Sequence, residues 1–487
     1  MLGLWVADVI EFADGEKLSA EPKTMLAYAM NLKENVDIYF YDGDRHLEKW
    51  MAYMLHIFQP KHTGGKNTFN VLCGVNRVLY HATYTNPDGL KFRVMTFENL
   101  IPTARPALAG DFGGSGGADS AMRAIRMADR MGIHGLTIGS YAMQNFRNDF
   151  GVKKYFEKFP SLDEKLSTDL RAGYIGGYVM AIPGDYDRCV DIDCNGMYSS
   201  ILRDEFLPFG SPEPYDGKYE YDKTMPYHID VMTFRADLKE DGYAFLSSPH
   251  FVYSDDRDRM ISTHGYITMP LTDIDQELLQ ENYEVSVYEY EHGWKFARSK
   301  GFFRLWVDGW DTVKEKSTGG QRTLAKWIPN SMVGKFGTVP RKSCLEPYID
   351  PENDEKVDWK VEQYDKTGAS YLPVSMYVTA LGRRKIMQAM RKQKNRIIYA
   401  NTDGFMMIGS KKDIIGLDLD KRKTGKWKIE GDYKKVRILG VGLYQGEKTT
   451  GGFDLISSGI SRNTPIPWEQ FFEGKHILDD YGDDIVL

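Results

Sequence analysis

Two short apolar segments, separated by about two hundred residues, each end in carboxylates, and together they constrain the fold more than any other feature. The first is Val190-Asp-Ile-Asp-Cys-Asn-Gly-Met-Tyr198 and the second is Ile397-Ile-Tyr-Ala-Asn-Thr-Asp-Gly-Phe405. Alternation in the first predicts a strand with Asp191 and Asp193 on one face, just ahead of a helix. In the second, an apolar strand meets a polar turn at 401–404 and returns through Phe405–Ile408, which predicts a hairpin presenting Asp403 at its tip. Taken singly, Asp193 reads as a helix-capping aspartate and Asp403 as an ordinary Asp-Gly turn. Taken as a pair, they make a strand-end carboxylate and a hairpin carboxylate, which suit two hard cations and phosphoryl transfer.

Between them lies Gln321-Arg-Thr-Leu-Ala-Lys-Trp-Ile-Pro-Asn-Ser-Met-Val-Gly-Lys335. Arg322, Lys326, Asn330 and Gly334 recur every fourth residue and share one helix face. Two cations and a glycine on that stripe suit a triphosphate and a flat base pair, while the plain alternative is a solvated basic face. Pro329 predicts a kink.

The formal net charge is −7, from 62 Lys and Arg against 69 Asp and Glu. This argues against a surface uniformly coated for nucleic acid. The cations are clustered, however: seven lie between Arg383 and Arg396 with no acid among them, and eight between Lys421 and Arg437 against two acids. A basic channel inside an acidic surface is therefore expected. Cys73, Cys189, Cys194 and Cys344 form no C-x-x-C pair, so free thiols are expected rather than a zinc ribbon. No apolar run approaches the ~20 residues that span a bilayer. Residues 1–15 lack a basic secretory n-region and are acidic, against a transit peptide.

The local patterns predict strands at Val36–Tyr41, Phe69–Tyr84, Leu90–Phe97, Val179–Pro183 and Cys189–Asp193. Helices are expected at Leu47–Phe58, from Asp119 to Met131, within 140–170, and at Tyr198–Phe206, Asp273–Glu281, Lys314–Gly334 and 373–395. Residues 102–117 and 208–221 read as loops, 340–368 as a solvated acidic insertion, and 467–472 as an aromatic helix.

These residues resemble the protein-primed family B DNA polymerases, especially the small replicases of Bacillus podophages. The resemblance runs from about Arg171 to the C-terminus in five ordered motifs. Asp193-Cys-Asn-Gly-Met-Tyr198 with Leu207-Pro-Phe-Gly210 resembles motif A, Lys326–Gly334 motif B, and Tyr399-Ala-Asn-Thr-Asp403 motif C. Tyr174-Ile-Gly-Gly177 resembles the Y-x-G-G element, and Thr379-Ala-Leu-Gly-Arg383 the T-x-x-G-R template-binding signature. The implied fold is α+β: a right hand of palm, fingers and thumb with two insertions, preceded by a truncated RNase H-like exonuclease-type domain.

The resemblance implies that Asp193 and Asp403 are the catalytic, metal-ligating carboxylates, with the Cys194 carbonyl assisting. It makes Tyr198 the steric gate against ribonucleotides. Arg322 and Lys326 would bind the triphosphate, and Asn330 and Gly334 would line the nascent base pair. Tyr174, Gly176, Gly177, Thr379, Arg383 and Tyr444 would contact DNA. The implied cofactor is two Mg²⁺ ions, with Mn²⁺ able to substitute. The implied partners are template-primer DNA, dNTPs and optionally a terminal protein, for a monomer in the host cytoplasm without membrane contact.

The expected layout is an inactive exonuclease-like remnant at 1–150, linker and palm at 151–231, and a first terminal-protein-type insertion at 232–310. Fingers follow at 311–338, a second insertion at 339–372, palm at 373–440 and thumb at 441–487. Four departures from the family pattern stand out. Asn401 replaces the first aspartate of motif C, and Val333 the motif B tyrosine. Gly442-Leu-Tyr444 lacks the K-x-Y lysine, for which Lys435 or Lys448 are candidate substitutes. In the N-terminal region the chain starts just beyond where D-x-E is expected, the second exonuclease motif aligns with Asp42 and His46 in place of its asparagine and aspartate, and the third keeps at most Asp119, with Ser115 in place of tyrosine. The expected function is a DNA-directed DNA polymerase without 3′–5′ proofreading. The alternative is a catalytically impaired, polymerase-like DNA-binding scaffold; an RNase H-like nuclease has little support.

Overall fold

A computed structural model describes residues 1–42, 44–58, 65–74, 80–102, 108–247, 260–339, 341–365, 370–457, 466–478 and 484–486. The chain divides into two compact units. One comprises Met1–Asn145, Val313–Ser331 and Val339–Gly368; the other comprises Phe146–Thr312, Met332–Thr338 and Ala369–Leu487.

The first unit is built on a nine-stranded mixed sheet. An interior strand, Val36–Asp42, lies parallel to Leu2–Val6 on one side and to Lys91–Thr96 on the other. Val36 to Tyr41 are all buried, as expected for a strand covered on both faces rather than one alternating between core and solvent. The one carboxylate inside it, Asp37, receives a two-pronged pair from Arg93 on the neighbouring strand. Trp5, Trp50, Phe69 and Phe92 fill the core beneath helices Pro22–Met30 and Asp44–Ile57.

Residues 341–365 depart from the solvated insertion expected over 340–368. They form a hairpin, Arg341–Asp350 with Asn353–Asp365, whose Cys344 and Leu345 pair with Gly74 and Cys73 on the edge strand Thr68–Gly74. The expected loop at 102–117 contains a short helix, Leu108–Phe112.

The second unit holds a seven-stranded antiparallel sheet. Its order is Phe453–Ile456, Leu443–Lys448, Trp427–Gly440, Gly184–Cys194, Gly404–Ile408, Ile397–Asn401, Val179–Ala181. Two strands from the segment expected to be a thumb thus extend the sheet that carries both carboxylates. A second sheet takes the order Leu207–Asp216, Tyr283–Ser299, Tyr227–Leu238, Ile267–Thr272. Leu207–Asp216 replaces the loop expected at 208–221. It sits at a sheet edge, where Pro208, Pro212 and Pro214 leave no central ladder bond unmade.

Helix Leu372–Lys392 is buried along most of its length and packs against helices Met197–Asp204 and Asp273–Asn282. The stretch expected as one helix from 314 to 334 is two, Arg304–Lys316 and Gly319–Phe336, and the second continues through Pro329. The aromatic helix expected at 467–472 is a single tight turn, Trp468–Gln470. Most of the acidic tail lies outside the described residues. No helix among the described residues is long and apolar enough to cross a membrane.

Candidate active site

The strand Gly184–Cys194 runs between the two partners that matter. Asp193 faces Gly404 of the hairpin on one side and Lys428 of Trp427–Gly440 on the other. The Cys194 amide donates to the Asp403 carbonyl at 2.8 Å. That bond fixes the hairpin tip beside the end of the Asp193 strand. Gly404 packs closely on that strand: a Cβ there would stand 3.1 Å from the Ile192 carbonyl oxygen. The tip itself is a two-residue turn in which Thr402 takes φ +58°, a costly conformation for a β-branched residue. The Thr402 amide is anchored on the Tyr178 carbonyl at 2.7 Å.

These groups match a magnesium site in donor type. Asp193 and Asp403 supply hard carboxylate oxygens and Cys194 a backbone carbonyl. The Cys194 thiol is buried, which pushes its pKa up to about 11. No group of three His, Cys, Asp or Glu able to hold a metal occurs among the described residues, so the candidate site rests on two carboxylates.

Sequence reasoning missed Lys428. Its ammonium lies 3.3 Å from Asp193 and 2.5 Å from Glu430. Burial works to lower its pKa, but Glu430 and Asp193 outweigh that and raise it, so it remains a full cation. Lys435 and Lys448, the candidate substitutes, are engaged elsewhere. Lys435 lies over the Trp468 ring and near Glu447, and Lys448 pairs with Asp454.

Tyr198 lies in the first turn of the helix Met197–Asp204, which follows Gly196, a residue with the left-handed φ of +52°. Its ring lies against two motif glycines. A Cβ on Gly382 would come within 2.9 Å of the Tyr198 ring, and one on Gly177 within 2.9 Å of its hydroxyl. Burial pushes that hydroxyl up to about 12, so it stays protonated.

Three residues expected to contact DNA are buried. Arg383 is 1% exposed; it pairs with Asp275 at 2.6 Å and donates to the Ile175 and Gly176 carbonyls, both at 2.5 Å. It therefore holds the Tyr174–Gly177 segment to helix Asp273–Asn282. The Thr379 hydroxyl turns back onto the Ser375 and Met376 carbonyls within its own helix. Tyr444 lies in the core against Tyr399 and reaches Asp191 at 3.4 Å. Tyr174 is half-buried, and burial raises its hydroxyl pKa. Gly176 is exposed with open space around it.

The basic run from Arg383 to Arg396 is likewise not a free stripe. Arg383, Arg384 and Arg391 pair with Asp275, Glu277 and Glu281 of one helix. Lys385 donates to the Gly425 carbonyl, Lys392 to Gly416 and Arg396 to Gln393 and Asp413. Lys421, Arg422 and Lys423 remain exposed.

On the helix Gly319–Phe336, Leu324, Ala325, Ile328, Met332, Val333 and Phe336 are buried. Lys326 and Gly334 are exposed, and Arg322 and Asn330 partly so, which sets the four expected residues on the outward face. Arg322 also donates to the Lys314 carbonyl at 2.6 Å, tying this helix to the preceding one. Arg322, Lys326 and Asn330 belong to the first unit and Gly334 to the second.

In the first unit, strand Leu2–Val6 is wholly apolar apart from its glycine. Asp119 does not cap its helix; it lies inside the first turn and is held by the Ser115 amide at 2.8 Å and by Arg123. Those bonds, the Ser115 amide first, lower its pKa. Asp42 is exposed at the end of its strand.

The sheet, its paired carboxylates and the glycine-backed tyrosine define a class, and comparison with known proteins agrees. The model for DNA polymerase type B, organellar and viral, matches residues 129–407, and the chain belongs to that family. The DNA polymerase of Bacillus phage Nf is 29% identical over 328 residues, covering 65% of this chain and 56% of that protein. The DNA polymerase of Bacillus phage phi29 is 27% identical over 322 residues with the same coverages. That of Streptococcus phage Cp-1 is 27% identical over 368 residues, covering 70% of this chain and 63% of that protein. The chain thus spans a little over half the length of the relatives it matches in sequence. The fold likeness extends further. The structure of phi29 DNA polymerase complexed with primer-template DNA and incoming nucleotide substrates matches with a TM-score of 0.82 at 20% identity, covering 98% of this chain and 95% of that one.

Proposed function

We propose that the protein is a DNA-directed DNA polymerase that extends a primer 3′-OH with dNTPs in two-metal fashion. The observation that carries this reading is the placement of Asp193 at the end of its strand beside the hairpin turn that holds Asp403, joined through the Cys194–Asp403 backbone bond. Two Mg²⁺ ions would neutralise charge on the α-phosphate and the leaving pyrophosphate. Asp193, Asp403 and the Cys194 carbonyl would hold them. Tyr198, backed by Gly382 and Gly177, would fill the space a ribose 2′-OH needs. The resemblance assigns triphosphate binding to Lys326 and Arg322 and the nascent base pair to Asn330 and Gly334. For DNA it names Tyr174, Gly176, Gly177, Thr379, Arg383 and Tyr444; the buried Arg383 would act behind the Tyr174–Gly177 segment, whose carbonyls it holds.

The test is primer extension with Mg²⁺, comparing the wild type with Asp193→Ala and Asp403→Ala. Losses of about 10³-fold or more are expected for each; unchanged extension by either variant refutes the assignment. Absence of proofreading is part of the proposal, supported by Ser115 in place of the third motif's tyrosine and by the engaged Asp119. A mismatched 3′ end should then persist without excision. Priming by a terminal protein, a monomeric state and action in the host cytoplasm are further parts that rest on the family resemblance alone. Asn401 favours the impaired-scaffold alternative; extension restored by Asn401→Asp to an otherwise silent protein would support that alternative.

A further inference from the structure

Lys428 has no role in the proposed chemistry, yet it faces Asp193 directly across the sheet. Its position is set by backbone pairing rather than by a flexible reach, because Lys428 and Asp193 are register partners on adjacent antiparallel strands. Its ammonium is 3.3 Å from Asp193 and 2.5 Å from Glu430, and both Lys428 and Asp193 are partly shielded from water. Glu430 lies at a register shift on the same strand, where it has no partner on the Asp193 strand, and its carboxylate pairs with Lys428. The opposite side of Asp193 is occupied by Gly404 and the Asp403 tip. Asp193 therefore has an anion-bearing neighbour on one side and a resident cation on the other.

We propose that Lys428 is a built-in counter-ion that competes with the divalent cation for Asp193, and so sets how much metal the site requires. This rests on the reading of Asp193 as a metal ligand. A monovalent ammonium at hydrogen-bond distance offsets the charge that attracts the metal, so metal binding must loosen the Lys428–Asp193 contact. Glu430 makes that exchange feasible. When Lys428 lets go of Asp193, its charge stays paired and is not stranded in a half-buried position. Asn401 adds to the effect, because the hairpin tip carries one carboxylate where a second aspartate would have strengthened the pull on the metal. Lys428 is thus a positioning residue that acts on metal affinity through Asp193.

The test is direct metal binding to the full chain without DNA or nucleotide, read by electron paramagnetic resonance of Mn²⁺. Lys428→Met should tighten Mn²⁺ binding about tenfold or more, equivalent to ~1.4 kcal/mol. Glu430→Gln should weaken it, because Lys428 then depends on Asp193 alone. Lys428→Arg keeps the charge and should stay within about threefold of wild type. A merely structural role for Lys428 would not give opposite shifts for Lys428→Met and Glu430→Gln. Asp193→Asn separates the two levels of the argument. If it leaves Mn²⁺ binding unchanged, the metal-site reading itself fails. If it abolishes binding while Lys428→Met changes nothing, the site stands and the counter-ion role is overturned. Should Lys428→Met not fold, the Glu430→Gln result decides: unchanged affinity overturns the proposal.

Discussion

Replacing Gly382 with alanine should reveal how Tyr198 is held. The added Cβ would stand 2.9 Å from the Tyr198 ring and 3.2 Å from the Met197 methyl. Comfortable carbon contacts begin near 3.5 Å, so the ring must retreat by about 0.6 Å. Two effects oppose each other. Alanine within helix Leu372–Lys392 gains about 1 kcal/mol over glycine. Overpacking against a ring that the core confines costs about 1–3 kcal/mol. The net expectation is a destabilisation of about 0–2 kcal/mol.

A double-mutant cycle isolates the clash. In a Tyr198→Ala background the ring is gone, and Gly382→Ala should instead stabilise by about 1 kcal/mol. The coupling of about 1–3 kcal/mol can be read from urea unfolding followed by tryptophan fluorescence. The same variant in single-nucleotide incorporation should discriminate less between dNTPs and rNTPs, because the ring has moved. Equal stabilisation by Gly382→Ala in both backgrounds would refute the reasoning, since it would mean that nothing presses on that face of the helix.

Arg383→Met should destabilise by about 3–5 kcal/mol by leaving Asp275 buried and unpaired; the double change Arg383→Met/Asp275→Leu should recover much of that in the same unfolding assay. Asp273 is pushed up to about 6 by burial, so its folded-state pKa lies above its unfolded value. Stability should therefore fall as pH rises from about 4 to 6, by up to about 3 kcal/mol from this group, and Asp273→Asn should flatten that slope in urea titrations. Asp230 behaves oppositely. Burial acts to raise its pKa, but bonds from His228, Gln276 and Tyr215 prevail and lower it. Its stabilisation should be present above the ordinary carboxylate pKa and lost as pH falls below it, so Asp230→Asn should blunt acid unfolding.

The sequence carried the carboxylate pair because both rest on local rules. Alternation placed Asp193 on its strand, and an Asp-Gly turn placed Asp403. The outward face of Arg322, Lys326, Asn330 and Gly334 followed from helical spacing alone. Other features depended on partners remote in the chain. Arg383 reads as a free cation until Asp275, over a hundred residues earlier, is folded against it. Lys428 belongs to a basic run, and only the pairing register of Trp427–Gly440 brings it to Asp193. Gly382 looks like a motif letter; its purpose is visible only when the Tyr198 ring packs on it. The strand Leu207–Asp216 was hidden by three prolines, which an edge position tolerates and a central one would not.

The hairpin Arg341–Asp365 has a consequence for synthesis. It covers the edge strand Thr68–Gly74, yet it leaves the ribosome about 270 residues after that strand. At 5–20 residues per second the wait is roughly 15–55 s. During that interval the nascent chain presents an open strand edge, a template for pairing with another copy. Slow elongation downstream of residue 145, or truncation before residue 341, should thus lower the yield of monodisperse protein, while a supplied Arg341–Asp365 hairpin peptide should rescue it.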